Sequence, residues 1–197
     1  MADAARCAGW TVVAFADDDV SKRDASLLDI PVSAIGIEEA VRVCRQREAQ
    51  PVVAIGSNAA RQRVFDSFRD AMLVPATVIH PAAVLASTVH IGAGTVIFAG
   101  VVVNSDTFVG DNAIVNTSAT LDHDNRIESH THVSPGAHLG GTVFVGEGTH
   151  IGIGATVKNN VSVGAWSVVG AGAVVVRDLP DRVVAYGTPA RVMRRIL

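Results

Sequence analysis

From Ile79 onward, every sixth residue is Ile, Leu or Val: Ile79, Leu85, Ile91, Ile97, Val103, Val109, Val115, Leu121, Ile127, Val133, Leu139, Val145, Ile151, Val157, Val163 and Val169, with no insertion. The fifth position of each hexad is small or β-branched, as in Ala83, Thr95, Thr107, Ala119, Thr131, Ala155 and Ala173, and is broken by Asn125. A period of six fits neither a helix nor an alternating strand. It suits a short strand followed by a tight turn, and the frequent Gly and Asn supply turn conformations that other residues resist. Three such units close an 18-residue triangular coil, and stacked coils pair their backbones at about 4.8 Å. The first and fifth positions then point inward. The pattern predicts a mainly β chain built on a parallel β-helix.

Composition agrees. Hydrophobic residues make up 49% of the chain and aromatic residues only 5%, as thin layers of small side chains require. The net charge of −3 and the lack of a basic stripe argue against nucleic acid as a partner. Cys7 and Cys44 are too isolated for a disulfide framework or a zinc knuckle, which suggests a reducing compartment and a cytoplasmic protein. No apolar run reaches the roughly 20 residues of a membrane span. Arg6 followed by "GWTVVAFA" has a faint likeness to a signal peptide, but the apolar part is short and reads as a strand.

The first 75 residues alternate differently. "TVVAFADDD" predicts a strand over 11–16, "GIEEAVRVCRQRE" a helix, "PVVAIGSN" a strand over 51–56, and "ARQRVFDSFRDA" a second helix. Alternating strands and helices predict a small Rossmann-like parallel α/β unit, whose ligands sit at the C-terminal strand ends. Those ends carry Asp17, Asp18, Gly56, Ser57 and Asn58. The expected divisions are 1–75, 76–187 for the β-helix, and 188–197, where Thr188 and Pro189 suit the start of a short basic capping helix.

Polar chemistry concentrates at "LDHDNRIESHTHVSPGAHLGG", residues 121–141, which holds four of the seven histidines. His123 falls in a turn between Asp122 and Asp124, so its ring should project outward. His132 also faces out, and His150, one coil later, falls in the same column. An imidazole beside a carboxylate is suited to removing a proton near neutral pH. The carboxylate fixes the tautomer and favours the imidazolium. Gly-rich turns offer backbone N–H groups to a developing oxyanion. No Gly-x-Ser-x-Gly elbow marks a covalent nucleophile. His80, His90, His130 and His138 read as structural or surface residues, and Trp166 as a subunit contact or surface aromatic.

On these residues the chain resembles the hexapeptide-repeat sugar acetyltransferases, of the sialic acid O-acetyltransferase and nucleotide-amino-sugar N-acetyltransferase type. The resemblance implies a left-handed β-helix, where the general crossover rule would give a right-handed one. It implies a homotrimer with active sites between subunits, acetyl-CoA as co-substrate, a nucleotide sugar as acceptor and no metal. It makes His123 the general base and Asp124 its partner. His132, Gly141, Ile153 and Ala171 become acetyl-CoA contacts, with the Gly141 N–H at the thioester carbonyl. Asp17, Asp18, Gly56 and Asn58 become sugar-nucleotide contacts. N-acetylation of a nucleotide-linked amino sugar by direct transfer is the first expectation, and sugar O-acetylation the second. Family members usually begin with a further strand and a Gly-rich loop, whereas "MADAARCAGW" resembles the helix after that loop. The α/β unit is therefore expected to be incomplete, with two strands lacking a shared neighbour. The γ-class carbonic anhydrases share the repeat and bind zinc through three histidines, but two of those lie five residues apart, a spacing absent here. A non-catalytic trimeric scaffold would leave the 121–141 cluster without a purpose.

Overall fold

The computed structural model describes residues 1–197. Seventeen two-residue strands, β4 (Val78–Ile79) to β20 (Val174–Val175), follow one another at six-residue intervals. They pair in parallel with the strands eighteen residues away, as in Ile114↔His132 and His132↔His150. The result is a three-sided column. Its first face carries Val96, Ile114, His132, His150 and Val168, its second Val102, Thr120, His138 and Thr156, and its third Phe108, Arg126, Phe144 and Ser162. The first-position aliphatics from Ile97 to Val169 line the axis and are almost wholly buried. Each contributes roughly 1.5–3 kcal/mol by leaving water.

The turns follow from one backbone requirement. From Gly94 to Gly172, every fourth position of the hexad has φ between 54° and 71°. This left-handed region is open to Gly and tolerated by Asn and Asp, and so it selects Gly100, Asp106, Asn112, Asp124, Gly136, Gly154 and Asn160.

The expected C-terminal helix over 188–197 is replaced by a strand. Strand β21 (Val183–Gly187) continues the first face beside Val168–Val169, and β22 (Ala190–Arg195) returns antiparallel to it. The two-residue Thr188-Pro189 link makes the turn, and only Ala190 of the returning edge strand is buried. Leu179, Val183, Ala185 and Ala190 cover the end of the core.

The N-terminal unit is less regular. Helix α1 (Ala2–Cys7) rests Ala4 and Ala5 on Val78 and Val96 of the column. A three-stranded sheet in the order β1 (Phe15–Asp17), β3 (Ile30–Ile35), β2 (Ser26–Leu27) precedes helix α2 (Gly36–Gln46). The strand expected over 11–16 is laddered only at its end, and the segment expected as a strand over 51–56 joins no sheet. It still leads into helix α3 (Asn58–Asp70), capped by the Ser57 hydroxyl, which accepts the Ala60 N–H. Phe65 and Phe68 of α3 pack on Ala34, Ala40 and Val53. No helix is long and apolar enough to cross a membrane.

Candidate active site

His123 stands on the edge where the second face turns into the third, with its side chain 55% exposed. Its Nδ1 meets Asp124 Oδ2 at 2.7 Å. That hydrogen bond is the largest influence on the ring and raises its pKa above the ordinary imidazole value, aided by the negative charges of Asp122 and Asp124. Nε2 is left pointing away from the carboxylate, free to take a proton. Asp122 is itself held ionised, chiefly by the amide of Asn104 (2.9 Å) and by the His123 N–H.

One coil above lies Gly141. A Cβ there would sit 2.6 Å from both Cε1 and Nε2 of His123, so only glycine leaves room for the ring. The Gly141 N–H makes no hydrogen bond within the chain. An imidazole, its carboxylate and an unused backbone donor therefore share one edge of the column.

His132 is elsewhere. It lies nine residues from His123, half of an eighteen-residue coil, and so occupies the face opposite that edge. It stacks on His150 with ring centroids 4.8 Å apart, as the column reading expects. Asn116 Nδ2 reaches its Nε2 at 3.1 Å, and Ser134 Oγ reaches His150 Nε2 at 2.8 Å. Burial, then the neighbouring His150 and Arg61, push the His132 pKa down to about 4, so the ring is neutral at ordinary pH. No third imidazole or carboxylate joins the pair as a metal ligand set would require. Ile153 and Ala171 stack on the edge between the first and second faces, both exposed. One chain thus carries His123, Asp124 and Gly141 on one side, and His132, Ile153 and Ala171 away from them.

The proposed sugar-nucleotide residues divide as well. Gly56 and Asn58 help line a cleft of about 420 Å³ between the start of α3 and the column, with Ser57, His150, Trp166 and Arg182. Asn58 is mostly buried, and its amide donates to the carbonyls of Gly148 and Thr149 at 2.9 and 3.2 Å. Its donors are committed to holding the two halves together. Asp17 and Asp18 lie at the end of β1, outside that cleft, and Asp17 is ion-paired with Lys22 at 2.7 Å. His130 is buried, its ring bonded to Asn112 and edge-on to Phe65.

Arg61 is the residue that sequence reasoning missed. It is 1% exposed, with no carboxylate partner. Its guanidinium donates to the carbonyls of Asn112, Ile55, His130 and Thr131 at 2.8–3.1 Å. Burial lowers its pKa to about 10. It ties the segment leading to Gly56 to the coil leading to His132. Its spacing with Asn58, Phe65 and Phe68 places it on the buried face of α3, which was the available signal.

Residues 1–68 match the PglD N-terminal domain family. The chain is similar to perosamine N-acetyltransferase from Caulobacter crescentus, solved in complex with CoA and GDP-perosamine, at 39% identity over 98% of this chain and 90% of that one, with a TM-score of 0.91. It is similar to the acetyltransferase domain of PglB from Neisseria gonorrhoeae, solved with acetyl coenzyme A, at 33% identity over 98% and 92%, TM-score 0.91. WeeI from Acinetobacter baumannii shares the fold at 24% identity over 91% and 85%, TM-score 0.80. No curated protein sequence matches significantly.

Proposed function

Since the chain belongs to the hexapeptide-repeat sugar acetyltransferases and is an acyltransferase, we propose that it transfers the acetyl group of acetyl-CoA to the amino group of a nucleotide-linked amino sugar. The observation that carries the mechanism is the His123–Asp124 pair, with Nε2 uncovered beneath Gly141. The amine attacks the thioester carbonyl as His123 Nε2 takes one of its protons. The C–N bond forms, the oxyanion meets the Gly141 N–H, and the C–S bond then breaks. The imidazolium returns its proton to the departing thiolate, giving an amide and free CoA. Asp124 holds the tautomer and stabilises the imidazolium throughout.

The placement of His132, Ile153 and Ala171 supports a shared site. One protomer cannot bring them to its own His123, but the groove between neighbours in a homotrimer can set one chain's base against the other chain's donor contacts. Gly56 and the start of α3 offer backbone donors to the diphosphate. The complexes of the perosamine enzyme with CoA and GDP-perosamine, and of the PglB domain with acetyl coenzyme A, favour these two substrate classes.

The test is CoA release across a panel of nucleotide-linked amino sugars, run beside His123→Ala. At least one amino sugar should be turned over, and the variant should stay folded while losing about 10²-fold or more in turnover. Release with hydroxyl acceptors alone, or an unimpaired variant, would refute the proposal.

A further inference from the structure

Three buried threonines at the fifth position of the column share a hydrogen-bonding pattern that Asn125 keeps only in part, while a fourth, Thr131, makes no such bond. Thr95, Thr107 and Thr149 each donate through Oγ1 to the carbonyl fifteen residues on (Gly110, Asp122 and Gly164, at 2.7, 2.8 and 2.6 Å). Each also accepts the N–H eighteen residues on (Ala113, Asn125 and Ser167, at 3.0, 3.2 and 3.0 Å). These bonds stitch one coil to the next. Asn125, 1% exposed, keeps half of this scheme, since its Oδ1 accepts the Val143 N–H eighteen residues on at 2.7 Å. Its Nδ2 instead turns back into its own coil and donates to the Asp122 carbonyl at 2.8 Å.

That carbonyl belongs to the peptide bond entering His123, and it already receives Thr107 Oγ1. The same peptide's N–H donates to Asp122 Oδ1, and the His123 carbonyl accepts the Thr142 N–H at 2.9 Å. The backbone bearing the imidazole is therefore fixed from the core, from its own turn and from the coil above. Simple stitching of coils needs no Nδ2 bond, because threonine does that work three times over in this chain.

We propose that Asn125 is a positioning residue for the acetyl transfer: by pinning the Asp122–His123 peptide from inside the column, it sets the direction in which His123 points. This inference rests on His123 being the base. It also explains why the fifth-position ladder fails at this hexad alone.

The discriminating variant is Asn125→Thr. By the pattern of Thr95 and Thr149, it retains a bond to the Val143 N–H and finds the Gly140 carbonyl, but gives up the bond to Asp122. The groups around the ring are Asp122 and Asp124 in its own turn, Asp106 in the coil below and the uncharged Gly141 and Thr142 above. The variant should keep its oligomeric state and melting temperature, lose about tenfold to a hundredfold in kcat, and leave both KM values nearly unchanged. The acid limb of its pH–rate profile should move to lower pH as the Asp124 contact loosens. Wild-type kcat with an unmoved acid limb would overturn the proposal. Thr107→Val, which removes the other donor to the Asp122 carbonyl, carries the test if the first variant does not fold. A drop in its kcat at constant KM supports the proposal, and an unchanged kcat overturns it. His123→Ala run in parallel separates the two claims. Near-normal turnover there overturns the base and this inference with it, whereas an inactive His123→Ala beside an unimpaired Asn125→Thr overturns the inference alone.

Discussion

The column and the N-terminal unit solve the same problem, pairing a polar backbone in a dry interior, in opposite ways. In the column the two-residue strands between the first and last coils are laddered on both sides by coils eighteen residues away, and the inward residues repeat. In the N-terminal unit the ladders are short, the 51–55 segment runs without one, and side chains take over. Arg61 alone donates to four carbonyls, two of them one coil apart, and Asn58 donates to two more. The lesson is about where precision resides. The proposed chemistry requires a fixed imidazole, and His123 sits on the element whose geometry is over-determined. The loop proposed for the sugar nucleotide sits on the unit held by a few buried struts.

The largest break in this contrast should come from Arg61→Met. It strands the Ile55, Asn112 and His130 carbonyls and should cost about 3 kcal/mol or more, felt as release of the N-terminal unit from the column. Hydrogen exchange should accelerate across α2 and α3 while the column from Val96 to Val169 stays protected. Uniform destabilisation would mean that the two regions are one cooperative body. Gly141→Ala sharpens the other side. The added methyl meets the His123 ring without touching the axis, so kcat should fall about tenfold to a hundredfold with melting unchanged. The smallest effect concerns acid. His132 is held neutral with a pKa near 4, so the unfolded chain takes up its proton first as pH drops. The stability contributed by the neutral ring is complete above about pH 6.5 and is lost as the pH falls toward 4. His132→Asn should flatten the stability curve over that interval. An unchanged slope in chemical denaturation would show that the ring is not buried as described.

Much of the column was legible because its period is physical. Six residues return the chain to the same corner, so an unbroken aliphatic ladder leaves few alternatives. The N-terminal unit has no such redundancy. Strand β3 went unread because Pro31 and Ser33 interrupt the apolar run, although Ile30, Val32 and Ala34 alternate inward. The C-terminal segment read as a helix because its start looked capped, yet it pairs along β21 as an exposed edge strand. At the site, His123, Asp124 and Gly141 were visible as a motif and come together on one edge. His132 was visible too, but closeness in sequence misleads when nine residues cross to the far side of the prism. Asn58 read as a ligand contact; its Nδ2 is spent on the Gly148 and Thr149 carbonyls, while its buried Oδ1 has no partner within the chain. A buried arginine that answers only to backbone carbonyls leaves no trace in composition or charge.

The central claim is that the reaction needs two chains, one presenting His123 and the other His132. Co-expressing His123→Ala with His132→Ala, each impaired alone, tests it directly. Mixed assemblies should regain turnover that neither variant shows by itself, because some grooves then hold one intact base and one intact donor contact. Mixed assemblies no more active than the average of the two would contradict the shared site.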